Sequence, residues 1–193
     1  MKRICVYCGS SPGAYPKYMQ VAQELGRELA ERGIELVYGG GSVGLMGGVA
    51  NAVLDAGGTV HGVIPRGLFD REVPHRTLTH LYEVGSMHER KALMAELSDG
   101  FLTLPGGIGT LEELFESWSW IQLGIYKKPC GLLNMDGYYD HLLAFLDKTV
   151  QQGFVRRNHH DMVLVDNDPI RLLDRLTEYQ PQLVSRWMGK DEI

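Results

Sequence analysis

The sequence has little cysteine, little positive charge and no long apolar runs. Its three cysteines, Cys5, Cys8 and Cys130, are an odd number, which does not suggest a disulfide framework. With 19 Lys and Arg against 24 Asp and Glu, the net charge is −5, and no basic run offers a track for a polyanion. No apolar run approaches a membrane helix in length, and residues 4–7 are too short for the core of a signal peptide. We therefore expect a cytoplasmic protein that binds neither nucleic acid nor a membrane.

Cys5 and Cys8 form a CxxC pair, an arrangement found in redox and zinc sites. The pair straddles the end of a predicted strand, and no second pair is present to complete a zinc site. The seven histidines show no HExxH or other ligand spacing, and the His159–His160 doublet is expected in a solvated loop. We expect neither a metal nor a cofactor.

Short β-rich runs alternate with longer amphipathic segments along the chain. The pattern predicts strands at residues 4–8, 34–38, 59–64, 78–84, 101–104, 130–134 and 162–165. It predicts helices at residues 17–32, from the glycine-rich stretch after the second strand through Ala56, at 86–97, from Thr110 onward, at 138–151 and at 169–179. With 193 residues and an apolar fraction of 44%, this alternation predicts one α/β domain over residues 1–193. The expected fold is a doubly wound, Rossmann-like, mostly parallel sheet with helices on both faces, which binds ligands at the carboxyl ends of its strands.

Glycine is abundant, with 24 residues, and three glycine-rich turns follow predicted strands, starting at Gly9, Gly39 and Gly106. The third turn is the most informative. Its strand must stop at Pro105, and the absence of Cβ atoms at Gly106, Gly107 and Gly109 lets backbone N–H groups approach a ligand closely. Thr110 suits the N-cap of the helix that follows. Because several N–H donors and the helix dipole converge there, the turn predicts a ligand that carries a phosphate.

Glu113 stands three residues after Thr110, which is the spacing of a capping box. The carboxylate therefore either closes the helix end or serves the chemistry of the site. In the second case a negative charge sits in the first turn of an anion-binding helix, a conflict that is tolerated mainly where chemistry needs it.

Gly39, Gly41 and Gly44 satisfy the G-x-G-x-x-G pattern of dinucleotide sites, but the match is weak by itself. The acidic residue expected at the end of the next strand is missing, since Val63-Ile64-Pro65-Arg66 stands there. No G-x-x-x-x-G-K-[ST] element supports a nucleoside triphosphate site. A mononucleotide therefore fits better than NAD, and an NAD-dependent oxidoreductase is disfavoured.

Arg90 is an anomaly because its spacing from Met87, Met94 and Leu97 puts it in the apolar stripe of its predicted helix. Such an Arg either snorkels out along the helix or meets an anion. Our hypothesis is that Arg90 points into the same crevice as Glu113. The polar stretch 66–79, the longest predicted loop, is either a lid over this site or a solvated excursion.

The helix that follows the third turn is apolar on more than one face. Its apolar residues are Trp118, Trp120, Ile121, Leu123, Ile125 and Tyr126. One face would pack on the sheet and the other against a second subunit, so we expect a homodimer.

Residues 87–91 (MHERK) followed by residues 105–113 (PGGIGTLEE) resemble the Lonely Guy family of cytokinin-activating phosphoribohydrolases. The resemblance covers nearly the whole chain and extends to residues 39–47, 62–65 and 132–139. The paired motifs are much more specific than any single glycine-rich turn. Members of this family have also carried the label lysine decarboxylase, but no lysine here stands in a recognisable pyridoxal-phosphate setting.

The resemblance implies hydrolysis of the N-glycosidic bond of a cytokinin riboside 5′-monophosphate, or of AMP, to free base and ribose 5-phosphate. It implies that Arg90 and Glu113 are the catalytic pair. The implied substrate-binding residues are Gly9, Ser10, Gly40, Gly41, Gly44, Met46, Gly47, Glu72, Met87, Lys91, Pro105, Gly106, Gly107, Ile108, Gly109, Thr110, Leu111 and Glu112. The competing hypothesis is a binding module that senses AMP or a related nucleotide without turning it over.

Overall fold

The computed structural model describes residues 1–68 and 75–180. These residues contain a sheet of seven strands: β1 (Arg3–Tyr7), β2 (Glu35–Tyr38), β3 (Val60–Pro65), β4 (His80–Val84), β5 (Gly100–Thr103), β6 (Cys130–Leu133) and β7 (Val163–Asp166). The strands lie in the order β4-β3-β2-β1-β5-β6-β7, and all six pairings are parallel. The predicted doubly wound α/β class is confirmed.

Helices cover both faces of the sheet. They are α1 (Pro16–Glu31), α2 (Gly44–Asp55), α3 (Met87–Leu97), α4 (Ile108–Gln122), α5 (Asp140–Gln151), α6 (Arg157–His160) and α7 (Pro169–Thr177). Because successive strand residues point to opposite faces, Ile4 and Val6 pack with α1, α2 and α7, whereas Cys5 and Tyr7 pack with α3, α4 and α5. The sheet is therefore buried on both sides, as parallel sheets are.

The strand order reverses between β1 and β5, which are hydrogen-bonded neighbours. The chain leaves β1 for α1 on one face and leaves β5 for α4 on the other. Two turns that diverge in this way open a crevice at the carboxyl ends of the strands, which is the usual ligand site of doubly wound sheets.

Several predicted boundaries were wrong by a few residues. Strand β3 includes Pro65 rather than ending before it. Helix α5 begins at Asp140 rather than at residue 138, after a 3-10 turn at Met135–Gly137 in which Asp136 and Gly137 adopt positive φ angles of 49° and 72°. The His159–His160 doublet lies on the four-residue helix α6, not in a loop. None of the helices in the described part of the chain is long and apolar enough to cross a membrane.

Candidate active site

The turn between β5 and α4 is shaped by its proline and glycines. The Pro105 carbonyl accepts a hydrogen bond of 3.1 Å from the N–H of Gly9, which ties this turn to the one after β1. A Cβ atom on Gly106 would lie 2.1 Å from Oγ1 of Thr110, so only glycine fits there. At Gly107 and Gly109, by contrast, the described residues put nothing within 4 Å of an added Cβ. Packing explains the glycine at 106, and open space toward solvent remains at 107 and 109.

Helix α4 begins at Ile108, so the prediction that Thr110 is its N-cap was wrong. Gly107 occupies the N-cap position in an extended conformation, and no side chain among the described residues caps the helix. Thr110 is a buried residue inside the first turn. Glu113 consequently lies in the second turn, where it can neither close a capping box with Thr110 nor stand among the first N–H groups.

The early start of α4 matters for anion binding. The first N–H groups of a helix have no acceptor within the helix, and here those groups belong to Ile108, Gly109 and Thr110. They point out of the carboxyl end of the sheet together with the positive end of the helix dipole. The turn therefore has the geometry of a phosphate site.

The N-terminus of α2, which carries the G-x-G-x-x-G match, is used differently. The Gly9 carbonyl accepts hydrogen bonds from the N–H groups of Leu45 (3.0 Å) and Met46 (3.3 Å). Gly44 has a positive φ of 62°, and a Cβ there would lie 2.2 Å from the carbonyl carbon of Ser10. Gly9 and Gly44 let the turn after β1 pack backbone against backbone with the amino end of α2. The N–H groups of α2 hold the turn after β1 in place.

The side chain of Arg90 is buried, with a relative exposure of 4% for the residue. Its Nε donates to the carbonyl of Val63 (3.1 Å) and one terminal nitrogen donates to the carbonyl of Gly39 (2.7 Å). A Cβ atom on Gly39 would lie only 2.1 Å from that nitrogen. The guanidinium is thus fixed at the carboxyl ends of β2 and β3, and the alternative of a snorkelling Arg90 was wrong.

Arg90 and Glu113 line one crevice of about 250 Å³. The crevice is also lined by Cys8, Gly9, Ser10, Met46, Met87, Gly107, Ile108, Gly109, Thr110 and Glu112. The hypothesis that Arg90 and Glu113 share a crevice is confirmed. An arginine, a carboxylate and the amino end of a helix therefore surround one solvent-accessible space, an arrangement that suits an anionic ligand with a reacting centre beside the carboxylate.

Cys8 also lines the crevice, although it was not predicted as a site residue. Burial, together with the negative charge of Glu113, holds the pKa of the Cys8 thiol well above its usual value. A thiol that stays protonated is a poor nucleophile and a poor metal ligand. All three cysteines are buried and free, so Cys8 acts as a small apolar wall.

A second cavity of about 260 Å³ lies on the other side of Gly107. Tyr18 and Tyr138 form its aromatic wall, with their ring centroids 5.7 Å apart in an edge-to-face arrangement. The Tyr138 hydroxyl donates to the carbonyl of Gly106 (2.7 Å), which anchors the ring to the β5–α4 turn. Pro105 and Gly106 line this cavity rather than the crevice. Neither tyrosine was predicted as a site residue, and only the likeness at residues 132–139 pointed toward Tyr138.

The remaining candidates among the described residues do not line the crevice. Gly40, Gly41, Gly44 and Gly47 serve close packing around the amino end of α2. A Cβ on Gly47, for example, would lie 2.0 Å from the Ser42 carbonyl oxygen. Leu111 packs into the core below α4. Lys91 turns toward α4, where it pairs with Glu112 and Glu116. Glu72 falls outside the described residues.

Comparison with known proteins gives two kinds of match. A profile of the family described as "Possible lysine decarboxylase" matches residues 46–176. A probable cytokinin riboside 5′-monophosphate phosphoribohydrolase of Oryza sativa subsp. japonica is 55% identical over 93% of this chain and 79% of its own. A cytokinin riboside 5′-monophosphate phosphoribohydrolase of Arabidopsis thaliana is 52% identical over 94% of this chain and 83% of its own.

Solved structures of more distant proteins share the fold. A molybdenum cofactor binding protein from Rippkaea orientalis has a TM-score of 0.69 at 22% identity and covers 92% of this chain and 96% of its own. The molybdenum cofactor carrier protein of Chlamydomonas reinhardtii has a TM-score of 0.68 at 22% identity, with 92% and 99% covered. At this identity the likeness shows the architecture and nothing about ligands.

Proposed function

The chain belongs to the Lonely Guy family of cytokinin riboside 5′-monophosphate phosphoribohydrolases, and we propose that it hydrolyses the N-glycosidic bond of N6-substituted adenosine 5′-monophosphates, or of AMP itself. The products are the free base and ribose 5-phosphate. Support comes from relatives that are more than half identical over nearly the whole chain. The observation that carries the proposal is that Arg90 and Glu113 line one crevice beside the amino end of α4.

The older description as a lysine decarboxylase fits the residues poorly. Pyridoxal-dependent chemistry needs a lysine whose amino group can form a Schiff base in the site. Lys91, the lysine next to Arg90, is held by two carboxylates of α4 instead.

The 5′-phosphate of the substrate is proposed to bind at the N–H groups of Ile108, Gly109 and Thr110. The helix dipole favours the dianion there, and the open space at Gly107 and Gly109 gives the phosphate oxygens access to the backbone. Binding energy from the phosphate then aligns the ribose in the crevice, which raises the rate as well as the affinity.

The chemistry is proposed to run between Glu113 and Arg90. Cleavage of the bond between C1′ and the base nitrogen develops positive charge on the ribose, which the Glu113 carboxylate stabilises while it orients a water molecule toward C1′. The water oxygen bonds to C1′ and one of its protons passes to Glu113, while the electron pair of the broken bond leaves with the base. The base takes up one proton from solvent and Glu113 then releases one proton to solvent, which restores the carboxylate. The Arg90 guanidinium donates hydrogen bonds to the substrate and offsets the negative charge that develops on the departing base.

Product chromatography tests this proposal. The chain is incubated with AMP and isopentenyladenosine monophosphate, and in parallel with their dephosphorylated forms. We expect release of free base from the nucleotides and much slower release from the nucleosides, because the nucleosides lack the phosphate that aligns the sugar. Glu113→Gln should remain folded and lose activity by a factor on the order of 10² or more. Glu31→Gln, on the exposed end of α1, is the matched control and should keep full activity.

Two outcomes would contradict the proposal. Equal rates of base release from adenosine and AMP would show that binding of the 5′-phosphate does not contribute to catalysis. Full occupancy of the crevice by AMP with no adenine released over hours would favour the competing function, a nucleotide-binding module without turnover.

We further propose a cytoplasmic homodimer. A cavity of about 570 Å³ between α3 and α4 is walled partly by Trp120, Ile125 and Tyr126, an apolar surface that a second subunit would cover. Light scattering at micromolar concentration should give twice the mass of the chain, and a monomer would refute this assignment.

A further inference from the structure

Arg90 and Lys91 are neighbours on α3, but their side chains go to different places. Arg90 reaches the carboxyl ends of β2 and β3 and lines the crevice. Lys91 points across to α4, where its side chain is only 9% exposed. Its ammonium group forms ion pairs with Glu112 and, at 2.9 Å, with Glu116.

The carboxylates of Glu112 and Glu116 are one helical turn apart on α4, so both can accept hydrogen bonds from one ammonium group. Burial lowers the pKa of Lys91, but hydrogen bonds and charge from Glu112 and Glu116 outweigh it and raise the pKa above its usual value. Lys91 therefore stays charged, and two of its three N–H donors are committed to α4.

The positions of these residues link the ion pairs to the crevice. On α3 the residue before Lys91 is Arg90, and on α4 the residue after Glu112 is Glu113. Arg90 is anchored to the carbonyls of the sheet, and the backbone of Glu113 belongs to α4. A cross-link one residue away from each group fixes the distance between them.

We propose that Lys91 is a positioning residue that braces α3 against α4 and so sets the Glu113 carboxylate opposite Arg90, rather than a ligand of the substrate phosphate. This inference rests on the proposed function. Catalysis of bond cleavage depends on sub-ångström placement of the reacting groups, and a displacement of about 1 Å costs roughly 10²-fold in rate. Loss of the brace should therefore lower kcat and leave ground-state binding of the phosphate nearly unchanged.

Glu116 separates the two roles that Lys91 could have. Glu116 does not line the crevice among the described residues, but it holds the brace. If Lys91 acts through α4, Glu116→Gln must weaken catalysis in the same way as a change at Lys91. If Lys91 binds phosphate directly, Glu116→Gln should leave its ammonium available and have little effect.

The test measures kcat and KM for AMP, and the affinity for ribose 5-phosphate, in Lys91→Met, Glu116→Gln and the double variant. We expect Lys91→Met to lower kcat by roughly tenfold or more, with KM and the affinity for ribose 5-phosphate changed by less than about threefold. Glu116→Gln should lower kcat by a smaller factor, since Glu112 still holds Lys91. The double variant should be no worse than Lys91→Met alone, because residues that act as a unit are not additive.

Two further variants guard against loss of folding. Lys91→Arg keeps the charge and can reach both carboxylates, so it should recover most of the kcat lost in Lys91→Met. Lys148→Met, on the exposed face of α5, is the matched control and should leave kcat and KM unchanged.

The inference is overturned if Lys91→Met weakens ribose 5-phosphate binding by tenfold or more while Glu116→Gln behaves as wild type. It is also overturned if the losses from the two single variants multiply in the double variant. If the wild type is active and Lys91→Met has an unchanged kcat, the positioning role of Lys91 is refuted and the proposed function stands. A wild type that releases no base from any nucleotide removes the proposed function and the inference with it.

Discussion

Gly106, in the turn before α4, and Gly109, in the first turn of α4, should respond in opposite ways to the same substitution by alanine. At Gly109 an added methyl group meets nothing within 4 Å among the described residues, and the residue lies inside α4 with an ordinary helical backbone. At Gly106 the methyl group would lie 2.1 Å from Oγ1 and 2.6 Å from Cβ of Thr110. A side chain has room at Gly109, whereas packing against Thr110 excludes one at Gly106.

The magnitudes follow from the two environments. Alanine is favoured over glycine in a helix by about 0.5–1 kcal/mol, so Gly109→Ala should stabilise the protein slightly. For a chain of this length about 1 kcal/mol moves Tm by about 2–4 °C, which gives a small rise. Gly106→Ala forces Thr110 or the backbone to move, and overpacking of this kind costs about 1–3 kcal/mol.

Activity should separate from stability at Gly109. In the proposed phosphate site, the methyl group of Gly109→Ala would occupy the path by which the phosphate reaches the first N–H groups of α4. Hydrogen bonds to a charged group are worth about 1.5–3 kcal/mol, and each 1.4 kcal/mol is about tenfold in affinity. We expect KM for AMP to rise by about 10- to 100-fold in a protein that is more stable than wild type.

Steady-state kinetics and thermal unfolding of both variants provide the assay. A KM for AMP within twofold of wild type in Gly109→Ala would show that the phosphate does not approach this turn. A Tm for Gly106→Ala at or above that of wild type would show that Thr110 does not exclude a side chain there.

Two further predictions concern Arg90 and Asp166. Gly39→Ala places a Cβ atom 2.1 Å from a terminal nitrogen of Arg90, so the guanidinium must move and kcat/KM should fall by roughly tenfold or more. In an Arg90→Lys background, Gly39→Ala should lower kcat/KM little further. Additive losses from the two substitutions would contradict the steric argument. The Asp166 carboxylate forms ion pairs with Arg171 and Arg175. Their hydrogen bonds, chiefly that of Arg171, hold the pKa of this carboxyl well below the usual range. A carboxyl whose pKa is depressed on folding contributes stability above the unfolded pKa and loses it as the pH falls through the folded pKa. Asp166→Asn should therefore lower the free energy of unfolding measured in urea by on the order of 1 kcal/mol at pH 7, and the difference from wild type should shrink below about pH 4; a difference that grows on acidification would refute this assignment.

The sequence by itself determined the architecture. Period-two and period-3.6 apolar patterns are local, so they placed each of the predicted strands and main helices within a few residues of its observed position. Pro105 and the glycines after it marked the end of β5 because both residue types constrain the backbone wherever they occur. The position of Arg90 in an apolar stripe likewise led to the hypothesis that it points into the crevice of Glu113, and both residues line that crevice. These signals depend on residues that are neighbours in the chain.

Only the tertiary structure decided which partners the glycine-rich turns and the charged side chains of the site have. Three glycine-rich turns look alike in sequence, but the Gly9 carbonyl accepts hydrogen bonds from the N–H groups of α2, whereas no side chain among the described residues caps the amino end of α4. The side chains of the adjacent residues Arg90 and Lys91 point to different places, because Arg90 donates to backbone carbonyls at the ends of strands and Lys91 pairs with carboxylates of α4. Cys8 and Tyr138 reach the two cavities through contacts that no local pattern encodes. Which donor meets which acceptor is settled by packing between distant segments, and that packing exists only once the sheet has formed.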